Sequence, residues 1–393
     1  MNDAHSVYLH IPFCQKRCSY CDFNTFSGLN HLIPAYIHQL KKEISYYGKK
    51  FSKELPVKTI FFGGGTPTLM EGKLFKSLME EIFDNFRILP NAEISLEANP
   101  GTVTLEYLQN LLGIGFNRIS FGLQTSNPVY LELLGRIHDH YQSIQAIQWA
   151  KQAGFRNINL DLIYGLPGQT VDDWKKTLEN GLNLSTQHIS LYALGIEENT
   201  PLHDWVEKGM VENPDSDLAA EMYELADQLL LENGLECYEI SNYYKVDENF
   251  DYRCQHNLQY WRNQPYLGLG AGAHGYSNDV RYENVNGIME YINLQKDANL
   301  SSALKSPVVK VLTEIDLFTA MQETMMVGLR LVSEGVSILE FTKRFSASPL
   351  EIFAKEIDLL VNNHLLEIVD GDIIRLTKNA RLLGNQVFLQ FVD

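Results

Sequence analysis

Six short apolar runs, at residues 7–11, 59–62, 93–97, 118–122, 157–163 and 188–194, recur through the first half of this chain. Between them lie longer segments, such as residues 33–47 and 74–86, whose apolar residues fall at helical spacing. This alternation constrains the fold more than any other feature, because strand–helix repeats build a parallel sheet with helices outside it. Six units are too few to close an eight-stranded barrel. The sequence therefore predicts an α/β fold with a partial, curved (β/α)6 barrel, and in barrels the chemistry sits at the C-terminal ends of the strands.

Those ends carry polar or glycine features one after another. Gly63, Gly64, Gly65, Thr66 and Pro67 follow the second run, and glycines there let backbone approach a ligand closely. The third run ends in Glu97-Ala98-Asn99-Pro100 and the fourth in Gly122-Leu123-Gln124, with Arg136 beyond; the fifth carries Asp161. A single buried carboxylate is more often a satisfied structural acid, but five successive strand ends point to one site.

After the first run comes Cys14-Gln-Lys-Arg-Cys18-Ser-Tyr20-Cys21-Asp22-Phe23, a C-x3-C-x2-C loop. Pro12 removes a backbone donor and ends the strand. Iron–sulfur clusters usually take four cysteines, so Cys14, Cys18 and Cys21 predict a [4Fe-4S] cluster with one iron open to a small molecule. An open position marks a reactive metal site. Lys16 and Arg17 are expected to lower the thiol pKa values. The bland alternative is zinc with His10 or Asp22 as fourth ligand, but zinc pairs ordinarily come in two separated halves, and the sequence has no second half.

The totals exclude several classes. With 32 Lys+Arg against 49 Asp+Glu the net charge is −17, which argues against a nonspecific hold on nucleic acid or anionic lipid. A run long and apolar enough for a transmembrane helix is missing, as is the pattern of a signal peptide. Five cysteines, three in one loop, do not form a disulfide framework. A reducing, cytoplasmic setting is the expectation.

The chain divides into a barrel (1–200), a barrel extension (201–305) and a C-terminal unit (306–393). The extension holds a helix at 217–233 and then Cys254-Gln-His256-Asn257-Leu-Gln-Tyr260-Trp261. On a helix, His256 shares a side with Tyr260 and Trp261. Imidazole beside aromatic rings suits a porphyrin with an axial histidine, although a core histidine is the commoner outcome for the residue type alone. His274, in a glycine-rich turn, is a weaker second candidate, and Cys237 and Cys254 read as small buried hydrophobes. In the last unit, residues 312–331, 339–345 and 349–362 are helical in pattern. Two short strands, 365–369 and 373–376, follow across a turn at Asp370-Gly371-Asp372. Helices followed by a hairpin make a winged-helix-like unit. Its 8 Lys+Arg against 12 Asp+Glu, a net of −4, do not suit DNA phosphates, so it is expected to be a lid or packing element over the barrel mouth. The polar stretch 297–307 is expected to be the least ordered.

The cysteine spacing, with Tyr20 directly before the third cysteine, resembles the radical S-adenosylmethionine (SAM) superfamily, in which the open iron chelates the amino and carboxylate groups of SAM. The strand-end motifs are similar to its coproporphyrinogen III oxidase-like branch, over nearly the whole chain from Tyr8 onward. That resemblance implies SAM contacts at Tyr8, Gly64, Gly65, Thr66, Glu97, Gln124, Arg136 and Asp161. The residue types suit the ligand: Arg136 for a carboxylate, the acids and Gln124 for an amino group and ribose hydroxyls, and Tyr20 for adenine.

Two departures separate the chain from the decarboxylating members of the branch. They carry a further cysteine two residues after the third, where this sequence has Phe23, and a longer segment before the loop. Both features are similar to the heme-chaperone members, whose H-N-x-x-Y-W motif is matched by His256, Asn257, Tyr260 and Trp261. This resemblance implies heme held at those four residues, by direct ligation or through the motif's integrity, and delivery of heme to acceptor apo-hemoproteins, respiratory ones among them. Two other readings stay open. One is an oxygen-independent coproporphyrinogen III decarboxylase using a SAM-derived radical; the other is a zinc-stapled winged-helix nucleic-acid binder.

Overall fold

The computed structural model describes residues 4–51, 53–297 and 306–392. Most of the polar stretch 297–307 lies outside the described residues.

Six strands, β1 (His5–Ile11), β2 (Pro56–Gly64), β3 (Arg87–Ala98), β4 (Arg118–Gln124), β5 (Asn157–Tyr164) and β6 (His188–Ala193), lie side by side in sequence order. Each is parallel to its neighbour. The helices α1 (Ile33–Lys50), α2 (Gly72–Asn85), α3 (Leu105–Ile114), α4 (His140–Ala153) and α5 (Val171–Asn183) connect them. Capping boxes, Asp139 with Gln142 and Thr170 with Asp173, start α4 and α5 by satisfying backbone N–H groups that helix ends leave orphaned. α1 buries Tyr36, Ile37, Leu40, Ile44 and Tyr47, the apolar stripe its spacing predicts. Phe62, Phe75 and Phe116 meet edge to face at 5.2–5.4 Å and knit strand to helices.

The sheet's two faces differ. Ile94, Leu96, Ile119, Phe121, Ile158, Leu160, Ile189 and Leu191 join the helix-covered core. The alternate positions are polar and stack in register: Glu97 beside Ser120, Ser120 beside Asn159, Asn159 beside His188, and Asp161 beside Ser190. Residues two apart share a face, so a polar interior and an apolar exterior follow from the same strands.

The sheet extends beyond the six units on both flanks. β7 (Leu235–Glu239) and β8 (Asn242–Lys245) add antiparallel strands beyond β6, after the helix α6 (Ser216–Glu232). On the other side β9 (Tyr266–Leu269) runs parallel to β1. β10 (His274–Ser277), β11 (Val280–Asn284) and β12 (Val309–Glu314) follow antiparallel. β7 and β12 are the two ends of the strand order, so the barrel is partial and open among the described residues. β12 corrects the helical reading of 312–331. Residues up to Glu314 pair with β11, and the helix runs only from Leu317 to Gly328.

The C-terminal unit has its own core, in which Met325, Leu329, Phe341, Leu360, Ile374 and Phe391 are buried together. Its helices α8 (Leu317–Gly328), α9 (Ile338–Phe345) and α10 (Ala354–Asn362) pack on a small sheet of β13 (Val336–Ser337), β14 (Leu366–Val369) and β15 (Ile373–Leu376), ordered β13-β15-β14. The hairpin turns with positive φ at Asp370 (53°) and Gly371 (71°), the geometry of a primed two-residue turn. Among the described residues, no helix is long and apolar enough to cross a membrane.

Candidate functional site

The C-terminal ends of β1–β6 surround a cavity of about 440 Å³, within the range of small-molecule pockets. Its wall gathers Cys14, Cys18, Tyr20, Cys21, Gly64, Gly65, Thr66, Glu97, Gln124, Arg136 and Asp161, which the sequence placed at one site from five separate strand ends. Asn257 and Cys254 also line it. Tyr8, His256, Tyr260 and Trp261 do not.

The cysteine loop is tied to the barrel by Ser19, whose N–H donates to Leu134 C=O at 3.0 Å and whose Oγ donates to Leu133 C=O at 2.6 Å. All three cysteines are free thiols. Arg136 Nη1 reaches Cys18 Sγ at 3.4 Å, and Thr66 Oγ1 lies 3.9 Å from Cys14 Sγ. The lowering expected from Lys16 and Arg17 does not prevail at Cys14 or Cys21. Burial dominates and pushes Cys14 and Cys21 up, with Arg17 only a minor opposing influence on Cys21. No group of three or more His, Cys, Asp or Glu among the described residues is arranged to hold a metal ion. A cubane asks for something different, since each thiolate binds its own iron and the sulfurs need only face one space. That is what the cavity wall provides. His10, the zinc alternative, has both ring nitrogens engaged, Nε2 with Asn24 C=O at 2.9 Å and Nδ1 with Tyr8 OH at 2.9 Å.

Two carboxyls share the wall. Glu97 Oε2 accepts the Gly64 N–H at 3.0 Å, and burial, reinforced by the charge of Asp161, raises its pKa to about 7. Asp161 is also raised by burial, against hydrogen bonds from Ser120 Oγ (2.7 Å) and Asn159 Nδ2 (2.9 Å). Two desolvated acids facing one cavity favour a cationic ligand group. Opposite in kind, Arg136 donates Nη2–H to Gly122 C=O at 2.8 Å, while its Nε, like Gln124 Oε1, is buried with no hydrogen-bond partner among the described residues. Unpaired buried polar atoms are costly, and these two sit where a ligand's carboxylate and amino or hydroxyl groups would satisfy them. Gln124 adopts φ +65°, strained for a residue with a side chain. Gly64, at φ +109°, leaves no room for a Cβ, which would run into the His10 ring.

The motif helix α7 (Gln255–Trp261) lies at the opposite end of the strands. Glu93, midway along β3, caps it by accepting the N–H groups of Gln255 and His256, both at 3.1 Å, and Arg118 Nε stands 3.9 Å from the same carboxylate. His256 is 1% exposed. Its Nδ1 meets Thr59 Oγ1 at 2.8 Å, its Nε2 meets Tyr260 OH at 3.0 Å, and its ring stacks on Phe61 at 5.0 Å. Burial, with the charge of Arg118, lowers its pKa to about 3. Neither nitrogen is offered to a ligand. Trp261 turns the other way, toward the C-terminal unit, where the Arg330 guanidinium stacks over it at 4.5 Å. Arg253 and Arg262, flanking the helix, both hold Glu334, at 2.9 and 2.6 Å.

Residues 306–392 contribute nothing to the cavity wall. The expected lid is instead a flank packed against α7 and β11, where Arg281 pairs with Glu323 at 2.7 Å. His274 is exposed and outside the cavity, Cys237 is half-buried, and Cys254 is buried with its thiol toward Glu93. Tyr8 stands behind the wall. Sequence reasoning missed the support column of His188, Asn159 and Ser120. His188 Nδ1 bonds Asn159 Oδ1 at 2.6 Å, and Asn159 Nδ2 donates to Ser120 Oγ at 2.7 Å. It also missed Glu93 and Arg118. The available signal was polar residues recurring every second position inside apolar strands.

The radical SAM superfamily matches residues 8–180, and the HemN C-terminal domain matches residues 315–383. The heme chaperone HemW of Bacillus subtilis is 36% identical over 391 residues, 98% of this chain and 99% of its own. The heme chaperone HemW of Lactococcus lactis is 35% identical, over 100% and 98%. Among solved structures, the Escherichia coli coproporphyrinogen III oxidase HemN superposes with a TM-score of 0.84 at 22% identity. That match covers 100% of this chain and 91% of that one, and shows the same fold.

Proposed function

We propose a heme-handling function from one premise: the chain belongs to the HemW family of radical SAM proteins. Cys14, Cys18 and Cys21 would hold a [4Fe-4S] cluster at the cavity wall. When bound, such a cluster supplies one-electron chemistry and an open iron for SAM. Arg136 and Gln124 would take the SAM carboxylate and amino or hydroxyl groups. Glu97 and Asp161 would favour its positive charge, Gly64, Gly65 and Thr66 would let it approach the backbone, and Tyr20 would face adenine. Tyr8 would brace this wall through His10 rather than touch the ligand. Heme is the cargo, passed to acceptor apo-hemoproteins, respiratory enzymes among them, in the cytoplasm. His256, Asn257, Tyr260 and Trp261 would support heme binding by keeping α7 in place beneath the cavity, with Asn257 reaching the cavity itself.

The observation that carries the heme part of this reading is the similarity to HemW along nearly the whole chain, and the unpartnered Arg136 Nε and Gln124 Oε1, in a cavity walled by the three cysteines, support the SAM site. Its test is an anaerobic heme titration of the cluster-reconstituted protein, followed by mixing with an apo-hemoprotein. Stoichiometric binding and transfer are expected. Failure to bind, together with turnover of coproporphyrinogen III, would give the function to the decarboxylase reading instead.

A further inference from the structure

The turn joining β9 to β10, Gly270-Ala271-Gly272-Ala273, lies outside the cavity wall, yet its backbone is held from several sides. Glu43, fully buried on α1, accepts the Gly270 N–H at 2.9 Å. That carboxylate is held in turn by Tyr291 OH at 2.5 Å and by Asn284 Nδ2 at 2.9 Å. Tyr36, on the same helix, accepts the Ala271 N–H at 2.8 Å and donates its hydroxyl to His10 C=O, also at 2.8 Å. A buried polar network with its members paired in this way makes a rigid seat.

What the seat holds is the chain just beyond the third cysteine. Asn24 Nδ2 donates to Ala271 C=O at 3.2 Å and to Asn286 C=O at 3.0 Å. Asn24 C=O accepts from His10 Nε2 at 2.9 Å, which leaves His10 Nδ1 to accept from Tyr8 OH. Gly272, at φ +75°, faces the Asn24 side chain so closely that a Cβ there would run into its amide. The cysteine loop is closed at its base by Phe26 N–H on Pro12 C=O at 2.8 Å. Beyond that it is moored by Ser19 to Leu133 and Leu134 on one flank and by Asn24 to the turn on the other. Cys21 lies between the two moorings, followed by the exposed Asp22 and Phe23, so the place of its sulfur depends on both.

We propose that Asn24 is a positioning residue for the cluster: seated on the 270–273 turn, it sets the place of Cys21 without belonging to the cavity wall. This rests on the reading that Cys14, Cys18 and Cys21 hold a [4Fe-4S] cluster. It also gives the glycine-rich turn a role, since residues that orient ligands from outside the coordination sphere tune how firmly a metal group is held.

The test compares unaltered full-length protein with Asn24→Ala, Gly272→Ala and the double variant, each reconstituted anaerobically. Iron release to a chelator is timed on the loaded proteins. Amide hydrogen exchange of residues 14–23 and the melting temperature are measured on the cluster-free ones. Asn24→Ala is expected to release iron about tenfold faster and to exchange faster in the loop, at an unchanged cluster-free melting temperature. Gly272→Ala is expected to speed iron release by displacing the Asn24 amide, and to add little once Asn24 is already alanine, because residues in contact are not additive. Should Gly272→Ala not fold, Asn24→Ala still decides. Iron release and loop exchange unchanged in Asn24→Ala would overturn the inference and leave the cluster reading standing. Faster release accompanied by a fall in the cluster-free melting temperature would overturn it as well, making Asn24 a general support of the fold. An unaltered protein that assembles no cluster would overturn the reading on which the inference rests.

Discussion

The cavity wall and the motif helix α7 belong to the same barrel but are finished in opposite ways. At the C-terminal ends of the strands, Gln124 Oε1 and Arg136 Nε lack partners and the charge of Asp161 bears on the buried Glu97. At the other end, His256 has both nitrogens bonded and Glu93 caps the helix through two N–H groups. Buried polar groups are ordinarily paired, and the unpaired ones on the cavity wall are those a bound ligand could satisfy. At the other end α7 is tied to the C-terminal unit through Arg253 and Arg262 on Glu334, although Gln259 Oε1 and Trp261 Nε1 lack partners of their own.

Four changes would break or sharpen this contrast. The largest effect is expected from Cys18→Ser or Cys21→Ser. Either should abolish cluster assembly, measured as iron and acid-labile sulfide, while the urea midpoint moves little because both residues are only partly buried. Next comes His256→Ala, which removes a stacked ring and strands Thr59 and Tyr260. A loss of about 3 kcal/mol in urea unfolding is expected. A loss under about 1 kcal/mol would mean that the histidine is not the structural member it appears in the contacts, and would return it to candidacy as a ligand. Third, Arg330→Ala should cost about 1 kcal/mol and hasten proteolytic separation of the C-terminal unit, without changing cluster content.

The smallest effect separates the two ends by sign. His256 titrates at about 3 in the fold against an ordinary 6.5. The unfolded chain therefore takes up the proton first, and stability falls as pH drops from 6.5 toward 3. Glu97 titrates at about 7 against an ordinary 4.5. Here the folded chain holds the proton longer, so stability falls as pH rises from 4.5 through 7. Glu97→Gln should make that upper limb shallower in a pH series of urea melts, with Glu43, also raised to about 7 by burial, supplying part of the remainder, and leave the acid limb unchanged. An unaltered upper limb would show that the cavity acids are not held up by burial and by one another.

Much of this was legible before folding. The six strands and the helices between them announce themselves because period two and period 3.6 are local properties. The cysteine loop is equally local, since ligands at C-x3-C-x2-C need no distant partner to be recognised. Glu97, Gln124, Arg136 and Asp161 were found because barrel chemistry collects at strand ends, a rule of topology rather than of any one segment. His256 was different. Its neighbours in sequence, Tyr260 and Trp261, suggested a shared porphyrin face. The fold sends Tyr260 to bond His256 and Trp261 outward to Arg330. Which end of the barrel α7 occupies depends on Thr59 and Glu93, paired across β2 and β3, and on Arg118 beside Glu93. These residues are about 140 to 200 positions away, and a histidine's local pattern carries no trace of them. The sequence alone determined the repeating barrel architecture and the cluster loop, because both rest on short-range spacing. Only the tertiary structure decided which polar groups would be satisfied and which left open, because a hydrogen bond is settled by the register of distant strands.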